Sequence, residues 1–468
     1  MIILSNLERI GKNWKTFRIF AVENNTTNMI EFAPQLTQKD LSRLFLNNGY
    51  RSNPEINVLI DKANDGYEYW DTVKYKKCPA GFSPEELWKR VKVSRILMTA
   101  YTWEKYAVSF GFTNKMQRLC HEFDMHFGQG WMYHPEITEE NKSQYLKSSL
   151  MEEAIYSSMM EGAATTRKVA KDMLRKKKSP RDRSQQMIVN NYKTIQFISE
   201  QKDTPLTVEL LIQIHRLMTE KTLKNDEDAG RFRTNDDNIV VYDVMSDETV
   251  HTPPKADDIP EFARDLCDYF NDKNITSYVH PIIRGIIIHF MIGFYHPFVD
   301  GNGRTARALF YWYMLKEGYW MTEYLSISRV IAKSKKSYEK AYLYAEADGL
   351  DLGYFINYNM KVLEQAYREL KEYIQRKQAE KQTANTYLRL GYVNQRQAQI
   401  IQIFVDDPTE ILTVKDLQER FSISPTTAKL DLVNLVNHGI LKEIAFNKVK
   451  KGYVIGEDFK KKIALPKQ

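Results

Sequence analysis

Over residues 1–80 the apolar positions follow no clear period; Asn, Asp, Tyr and Lys separate short apolar runs and no motif stands out. From about residue 84 the spacing becomes helical. Ser83-Pro84-Glu85-Glu86 is a strong helix start, with proline in the first turn and acids behind it. Residues 85–130 are rich in aromatics and are expected to pack on later helices. The pattern then predicts one helix over 144–175, ending in the basic run Arg175 to Arg181, and others over 185–200 and from Thr207 to about 222. Residues 230–252 hold runs of Val, Ile, Tyr and Thr around Asp243 and Asp247, which reads as a β-hairpin. Helices are expected near 257–271, 280–294, 303–317, 335–347 and 351–380, with Gly318 as a C-terminal cap.

Residues 377–393, rich in Gln, Lys, Arg and Asn, read as a helix tail or linker. Beyond them the texture changes. Gln395–Phe404 suggests a helix, Leu412–Leu417 opens a second, Phe421-Ser422-Ile423-Ser424 makes a turn, and Pro425 starts a third that ends before Gly439. Two short strands holding Lys448, Lys450, Lys451 and Gly452 close the unit. This resembles a winged helix-turn-helix.

Composition narrows the class. The 468 residues are enough for about three domains. A net charge of +7, from 67 basic and 60 acidic residues, is too mild to imply nucleic acid by itself. Cys78, Cys120 and Cys267 are far apart and odd in number, which fits a reducing compartment better than a disulfide framework. The N-terminus lacks the basic segment of a signal peptide. The most apolar window, 281–295, is broken by Arg284 and His289 and is shorter than a bilayer span. A cytoplasmic protein with no membrane partner is expected.

The chemistry concentrates in His296-Pro297-Phe298-Val299-Asp300-Gly301-Asn302-Gly303-Arg304-Thr305-Ala306-Arg307. A glycine-bearing loop opening onto a helix N-terminus is a natural anion site, because free N–H groups and the helix dipole point the same way. Arg304 and Arg307, at i and i+3, share one face and are spaced for adjacent phosphates. Asp300 offers a hard oxygen for Mg²⁺ on a polyphosphate. His296 is the group here suited to exchange a proton near neutral pH. Together these residues read as a nucleotide site with a built-in base. Zinc is poorly served: His280, His289 and His296, or Cys120-His121 with His126, lack its ligand spacing.

This run resembles the signature of the Fic (Fido) family, H-x-F-x-D-G-N-G-R-x-x-R, at every defining position. The flanks agree: His280-Pro281, His289-Phe290, Gly-Arg-Phe-Arg at 230–233 and Pro253-Pro254. The resemblance covers roughly 150–360. It implies a mainly α fold, a Fic-type helical bundle with a β-hairpin flap, here followed by a C-terminal winged-helix domain. The expected division is an N-terminal region over 1–140, a Fic core over 141–375, a linker or helix tail over 376–394 and the winged helix over 395–468.

The activity implied is transfer of AMP from ATP, with Mg²⁺, to a Ser, Thr or Tyr hydroxyl of a target protein, releasing pyrophosphate. His296 would be the base and Phe298 an anchor. Asp300 would hold the metal. Gly301, Asn302, Gly303, Arg304 and Arg307 would hold the phosphates, with the Asn302 amide donating to one of them. The flap would align the target through Ile239, Val240 and Val241 and the return strand Val250, His251 and Thr252. Tyr338 and Tyr342 would line the adenine pocket; where the family has an asparagine further along that helix, Ala345 and Glu346 stand here. Ser157-Ser158-Met159-Met160-Glu161-Gly162 matches the family's inhibitory pattern, with Ser157 and Glu161 on one helical face, which implies that Glu161 pairs with Arg307 and blocks productive ATP binding.

Three further readings stay open. The site could remove AMP, with Glu161 aligning water, or transfer another phosphate-containing group. The chain could instead be a nucleotide-sensing, DNA-binding regulator. The expected recognition helix, 425–438, carries only Lys429 and His438 as basic groups against Asp431, and its wing adds three lysines, which is sparse for groove contacts. Packing, a homodimer or target docking is the larger expectation for that unit. The target, which could be the protein itself, is beyond the sequence.

Overall fold

The computed structural model describes residues 30–100, 103–128, 139–243, 248–273, 278–421, 423–445 and 451–464. Asp247, Ser422, Lys448 and Lys450 lie outside them. The chain groups into two compact units, one drawn from 1–130, 150–170 and 180–366, the other from 131–149, 171–179 and 367–468. Among the described residues no helix is long and apolar enough to cross a membrane.

The unreadable N-terminal stretch is helical where described. Helix α1 spans Pro54–Gly66 and starts on Asn53, whose side chain accepts from the Glu55 and Ile56 N–H groups. Helix α2, Pro84–Leu97, begins as the sequence predicts, with Ser83 capping Glu86 N–H. The single helix expected over 144–175 is two. Helix α3 covers Glu139–Met160 and α4 covers Arg167–Arg175. The break is at Gly162, which has φ +91°, while the N–H of Ala163 returns to the carbonyl of Ser158. This glycine-closed C-terminus was hidden in a run whose side chains read as continuous helix.

Next come α5, Arg183–Glu200, capped by Asp182, and α6, Val208–Thr219, capped by Thr207. The hairpin is shorter than expected. Strand β1 is Val241–Asp243 and β2 is Glu248–His251, antiparallel, with Val241 opposite His251 and a register shift beside it. Ile239, Val240 and Thr252 fall outside the strands. Asn238 at φ +46° ends a tight turn just before Ile239, and Pro253 and Pro254, which lack N–H groups, follow Thr252.

Helix α7, Ile259–Phe270, leads to the centre of the unit. Helix α8, Pro281–Tyr295, and α9, Asn302–Lys316, pack along each other and are buried on nearly every face. Ile282, Ile286, Ile287 and Ile292 of α8 and Leu309, Trp312 and Met314 of α9 have no exposed surface. A helix apolar all round must be enclosed, so the loop joining these two is held by the rigid middle of the unit. The flanking helices α10, Ile327–Lys333, and α11, Lys335–Ala347, follow. Helix α12 runs from Gly353 to Asn385, so residues 376–385 are helix tail.

In the second unit, α13 is Gln395–Asp406, α14 is Val414–Phe421 and α15 is Pro425–Asn437. Strands β3, Leu441–Ala445, and β4, Lys451–Ile455, pair antiparallel, and Leu412 bridges to Tyr453. Ile400, Ile401, Phe404, Leu417, Leu432 and Leu435 form its core. Asp431 points inward, accepting from Asn394, Arg396 and Gln397, so it does not offset charge on the outer face of α15.

Candidate active site

Helix α8 ends on His296, which takes φ +46°, a conformation uncommon outside glycine and asparagine. Its neighbours hold it there. The Arg233 guanidinium donates to the carbonyls of His296 at 2.8 Å, Tyr295 at 3.2 Å and Pro254 at 2.5 Å, and the Arg233 N–H donates to Pro297 O. The His296 Nδ1–H donates to Gly293 O at 2.9 Å. That bond places the proton on Nδ1 and leaves the Nε2 lone pair available. Burial pushes the ring pKa down to about 4; the Gly293 carbonyl opposes the shift and the nearby His251 reinforces it. At neutral pH His296 is therefore uncharged and able to accept a proton.

The rest of the loop is equally tied. Phe298 is fully buried and stacks on the His215 ring at 3.8 Å. His215 accepts from Gly230 N–H on Nδ1 and donates from Nε2 to Asp300 O at 2.8 Å. Burial pushes its pKa to about 4, so it too is neutral. The Asn302 amide is consumed in both directions by the Phe298 backbone, at 2.9 and 2.8 Å. The expected bond from Asn302 to a phosphate is therefore corrected: the side chain is buried and shapes the loop, and only its backbone N–H faces the helix entrance.

Gly301, at φ +86°, turns the chain into α9. The first backbone bond into this helix is Thr305 N–H to Gly301 O, so the N–H groups of Asn302, Gly303 and Arg304 have no carbonyl within the helix. Arg304 is fully buried; Nη1 donates to Met218 O, while Nε and Nη2 have no hydrogen-bond partner among the described residues. An enclosed guanidinium with spare donors beside open N–H groups is suited to an anion. Asp300 is half exposed and faces Arg183 at 3.4 Å and Arg304 at 3.9 Å.

Arg307 is differently placed. Its Nε donates to Ser157 Oγ, and its Nη2 donates to Ser157 O and to Glu161 Oε1, all at 2.9 Å. Glu161 lies just beyond the C-terminus of α3, where the helix dipole disfavours an anion, and against the N-terminus of α9, where it favours one. The approach is so close that a Cβ on Gly303 would overlap the Glu161 carboxylate. Burial works to raise the Glu161 pKa, but Arg307 and Arg304 outweigh it and the carboxyl stays ionised.

The predicted aromatic pair is mostly packing. Tyr338 Oη lies 3.0 Å from His289 Nε2, and Tyr342 stacks on Phe290 and meets Phe355. His251, expected on the flap's docking edge, is turned inward with its side chain only 8% exposed. Val250 is in β2 as expected. Three residues of the site had no role assigned from sequence. Arg233 was seen only as part of a flanking motif, His215 sits on an ordinary amphipathic helix, and Arg183 is the first residue of α5, just past the basic run, with nothing to distinguish it.

Residues 205–314 match the model of the Fic/DOC family. The segment is a Fic/DOC domain. Over 116 residues the chain is 31% identical to protein adenylyltransferase fic-1 of Caenorhabditis elegans, covering 24% of this chain and 20% of that protein. Protein adenylyltransferase Fic of Nematostella vectensis is 30% identical over 119 residues, a quarter of each chain. The match thus spans a fifth to a quarter of the curated relatives. Similar solved structures include a Fic family protein from Desulfovibrio desulfuricans, with 18% identity, a TM-score of 0.46 and coverage of 73% of this chain and 94% of that one. Another is Fic-1 of C. elegans, residues 134–508, with 19% identity, a TM-score of 0.46 and coverage of 69% and 85%.

Proposed function

We propose that this Fic/DOC protein is a protein adenylyltransferase held inactive by Glu161. The observation that carries the reading is the pairing of one ready group with one blocked group. His296 presents a neutral ring with a free Nε2, while Nε and Nη2 of Arg307 are taken up by Ser157 and Glu161.

The reaction follows from these residues. A protein hydroxyl attacks the α-phosphorus of ATP, its proton passes to His296 Nε2, and the bond to pyrophosphate breaks. The first-turn N–H groups of α9 and the spare donors of Arg304 hold phosphate oxygens. Arg307 joins them once Glu161 withdraws. The residues fit Mg²⁺: Asp300 is a half-exposed carboxylate beside the phosphate site. Mg²⁺ keeps waters and substrate oxygens as most of its ligands, so one carboxylate suffices. When bound it supplies charge neutralisation, and Asp300 must turn from Arg183 to hold it. Tyr338, beside Arg307, and Tyr342 flank the side proposed for adenine, although their rings pack mainly on His289, Phe290 and Phe355. The outer edge of β1 offers backbone groups to an extended target segment, and Tyr242, 55% exposed, offers it an apolar face.

AMP removal at the same site is favoured by one observation, the Glu161 carboxylate already lying against Gly303, where it could orient water. For residues 395–468 the winged-helix reading is supported by three helices, a two-stranded sheet and the Leu412–Tyr453 bridge. The exposed face of α15 carries Leu430 and Val433, which suits a protein surface better than DNA.

The test is label transfer from α-³²P-ATP and Mg²⁺ to lysate proteins and to the chain itself. We expect label with Glu161→Gly, little with the native chain and none with Glu161→Gly/His296→Ala. Folded, ATP-binding Glu161→Gly protein that labels nothing would overturn the transferase reading. Release of AMP from a labelled target by the native chain would establish the reverse reaction.

A further inference from the structure

The inward turn of His251 joins three elements through one ring. His251 is the last residue of β2, the return strand of the flap. Its Nε2 lies 2.7 Å from the carbonyl oxygen of Phe294, in the last turn of α8. Its Nδ1 lies 2.9 Å from Glu346 Oε2 on α11. Both partners can only accept. A neutral imidazole has one N–H, so only the imidazolium makes both bonds.

The surroundings support the charge. Phe294 O is one of the helix-end carbonyls left without an intrahelical partner, and the negative end of the α8 dipole attracts a cation. The charged and titratable groups facing the ring are Glu346 on α11, Arg233 ahead of the flap and His296 at the end of α8. Burial and Arg233 disfavour the proton; Glu346 and the Phe294 carbonyl outweigh them, and the His251 pKa is raised.

We propose that His251 is a positioning residue, a charged bolt that fixes the flap's return strand to the end of the helix bearing His296 and so sets where a target hydroxyl lies. The proposal rests on the transferase reading above. Phe294 is two residues before His296 and Glu346 is on the helix of Tyr338 and Tyr342. Flap, base and the proposed adenine side are therefore held in one register. The bolt is intact below the raised pKa of His251 and opens as pH rises through it. Opening leaves the half-buried Glu346 carboxylate or the Phe294 carbonyl unpaired.

The experiment uses the full chain in the Glu161→Gly background, with His251→Ala and Glu346→Gln added singly. Ring ¹⁵N NMR of histidine-labelled protein reads the charge, amide exchange over 248–251 reads the flap, and transfer kinetics read its use. We expect both ring nitrogens of His251 protonated at neutral pH, and titration moved to lower pH by Glu346→Gln. We expect His251→Ala to raise the KM for the target protein by about tenfold or more with ATP affinity within about twofold. Alkaline loss of activity should begin at lower pH in Glu346→Gln. A neutral His251 ring, or ATP binding and target transfer lost in parallel, overturns the proposal. If the Glu161→Gly parent transfers no AMP, the transferase reading has failed instead. Flap exchange then decides the bolt: faster exchange in both variants supports it and unchanged exchange overturns it.

Discussion

His296, at φ +46° with its Nδ1 proton tied to a carbonyl, is left with Nε2 as its one proton-accepting ring atom. With a pKa pushed down to about 4, His296 is in its basic form from pH 5 upward. The acid limb of kcat/KM in Glu161→Gly protein should therefore fall well below the ordinary imidazole value of 6.5, as a pH–rate series would show. Arg233 should matter almost as much without touching substrate. Arg233→Ala strands the carbonyls of Tyr295, His296 and Pro254 and should cost about 2–3 kcal/mol in denaturant unfolding, with kcat reduced more than ATP affinity. The sequence showed the identity of His296, Asp300 and the two arginines, because their chemistry is carried by residue type and spacing. It did not show which way Asn302 faces. An amide in a glycine loop can serve a phosphate or its own backbone, and only the burial of Phe298 decides for the latter.

Elements were legible where their side chains announced them. Proline and a capping serine mark α2, and α8 and α9 stand out by apolar content. Boundaries set by the backbone were not. Gly162 ends α3 with nothing within 4 Å of where a Cβ would stand, so Gly162→Ala meets no clash and pays only for φ +91°. The expected loss is about 1 kcal/mol by thermal or denaturant melting. Under the transferase reading that strain also loosens Glu161, and the variant should label targets above the native level. The flap illustrates the opposite error. Apolar β-branched residues at 239–241 read as a strand edge, yet the left-handed turn at Asn238 delays pairing until Val241.

At the scale of the molecule, the aromatic stretch 85–130 read as packing on later helices, but the polar, long-range links that hold it there were not legible. Arg95 is buried between Asn64, the carbonyls of Ala63 and Glu68, and the Tyr354 hydroxyl. Arg95→Ala leaves those acceptors unpaired and should cost about 3 kcal/mol or more in unfolding free energy. Acid should act on the same unit through its buried rings. His215 and His296 have folded pKa values of about 4 and His289 about 3, below the 6.5 of an exposed imidazole. Between these limits the unfolded chain binds more protons, so the stability of keeping the rings neutral is full above pH 6.5 and is lost as pH falls toward 4. Melting temperature measured from pH 7 to pH 4 should drop, and replacing His289 by an apolar residue of similar size should reduce the slope.

Glu161 sits where two helix ends meet, the last turn of α3 and the first turn of α9. In the language of competition it is a ligand already attached to its receptor. A short tether gives such a group an effective concentration on the order of millimolar or more, independent of how much protein is present. Under the proposed function, nucleotide reaching the same anion site must out-compete that constant supply, so occupancy depends on the ratio of free nucleotide to a threshold written into the chain. Any partner that tugs on α3 lowers the threshold without touching the nucleotide.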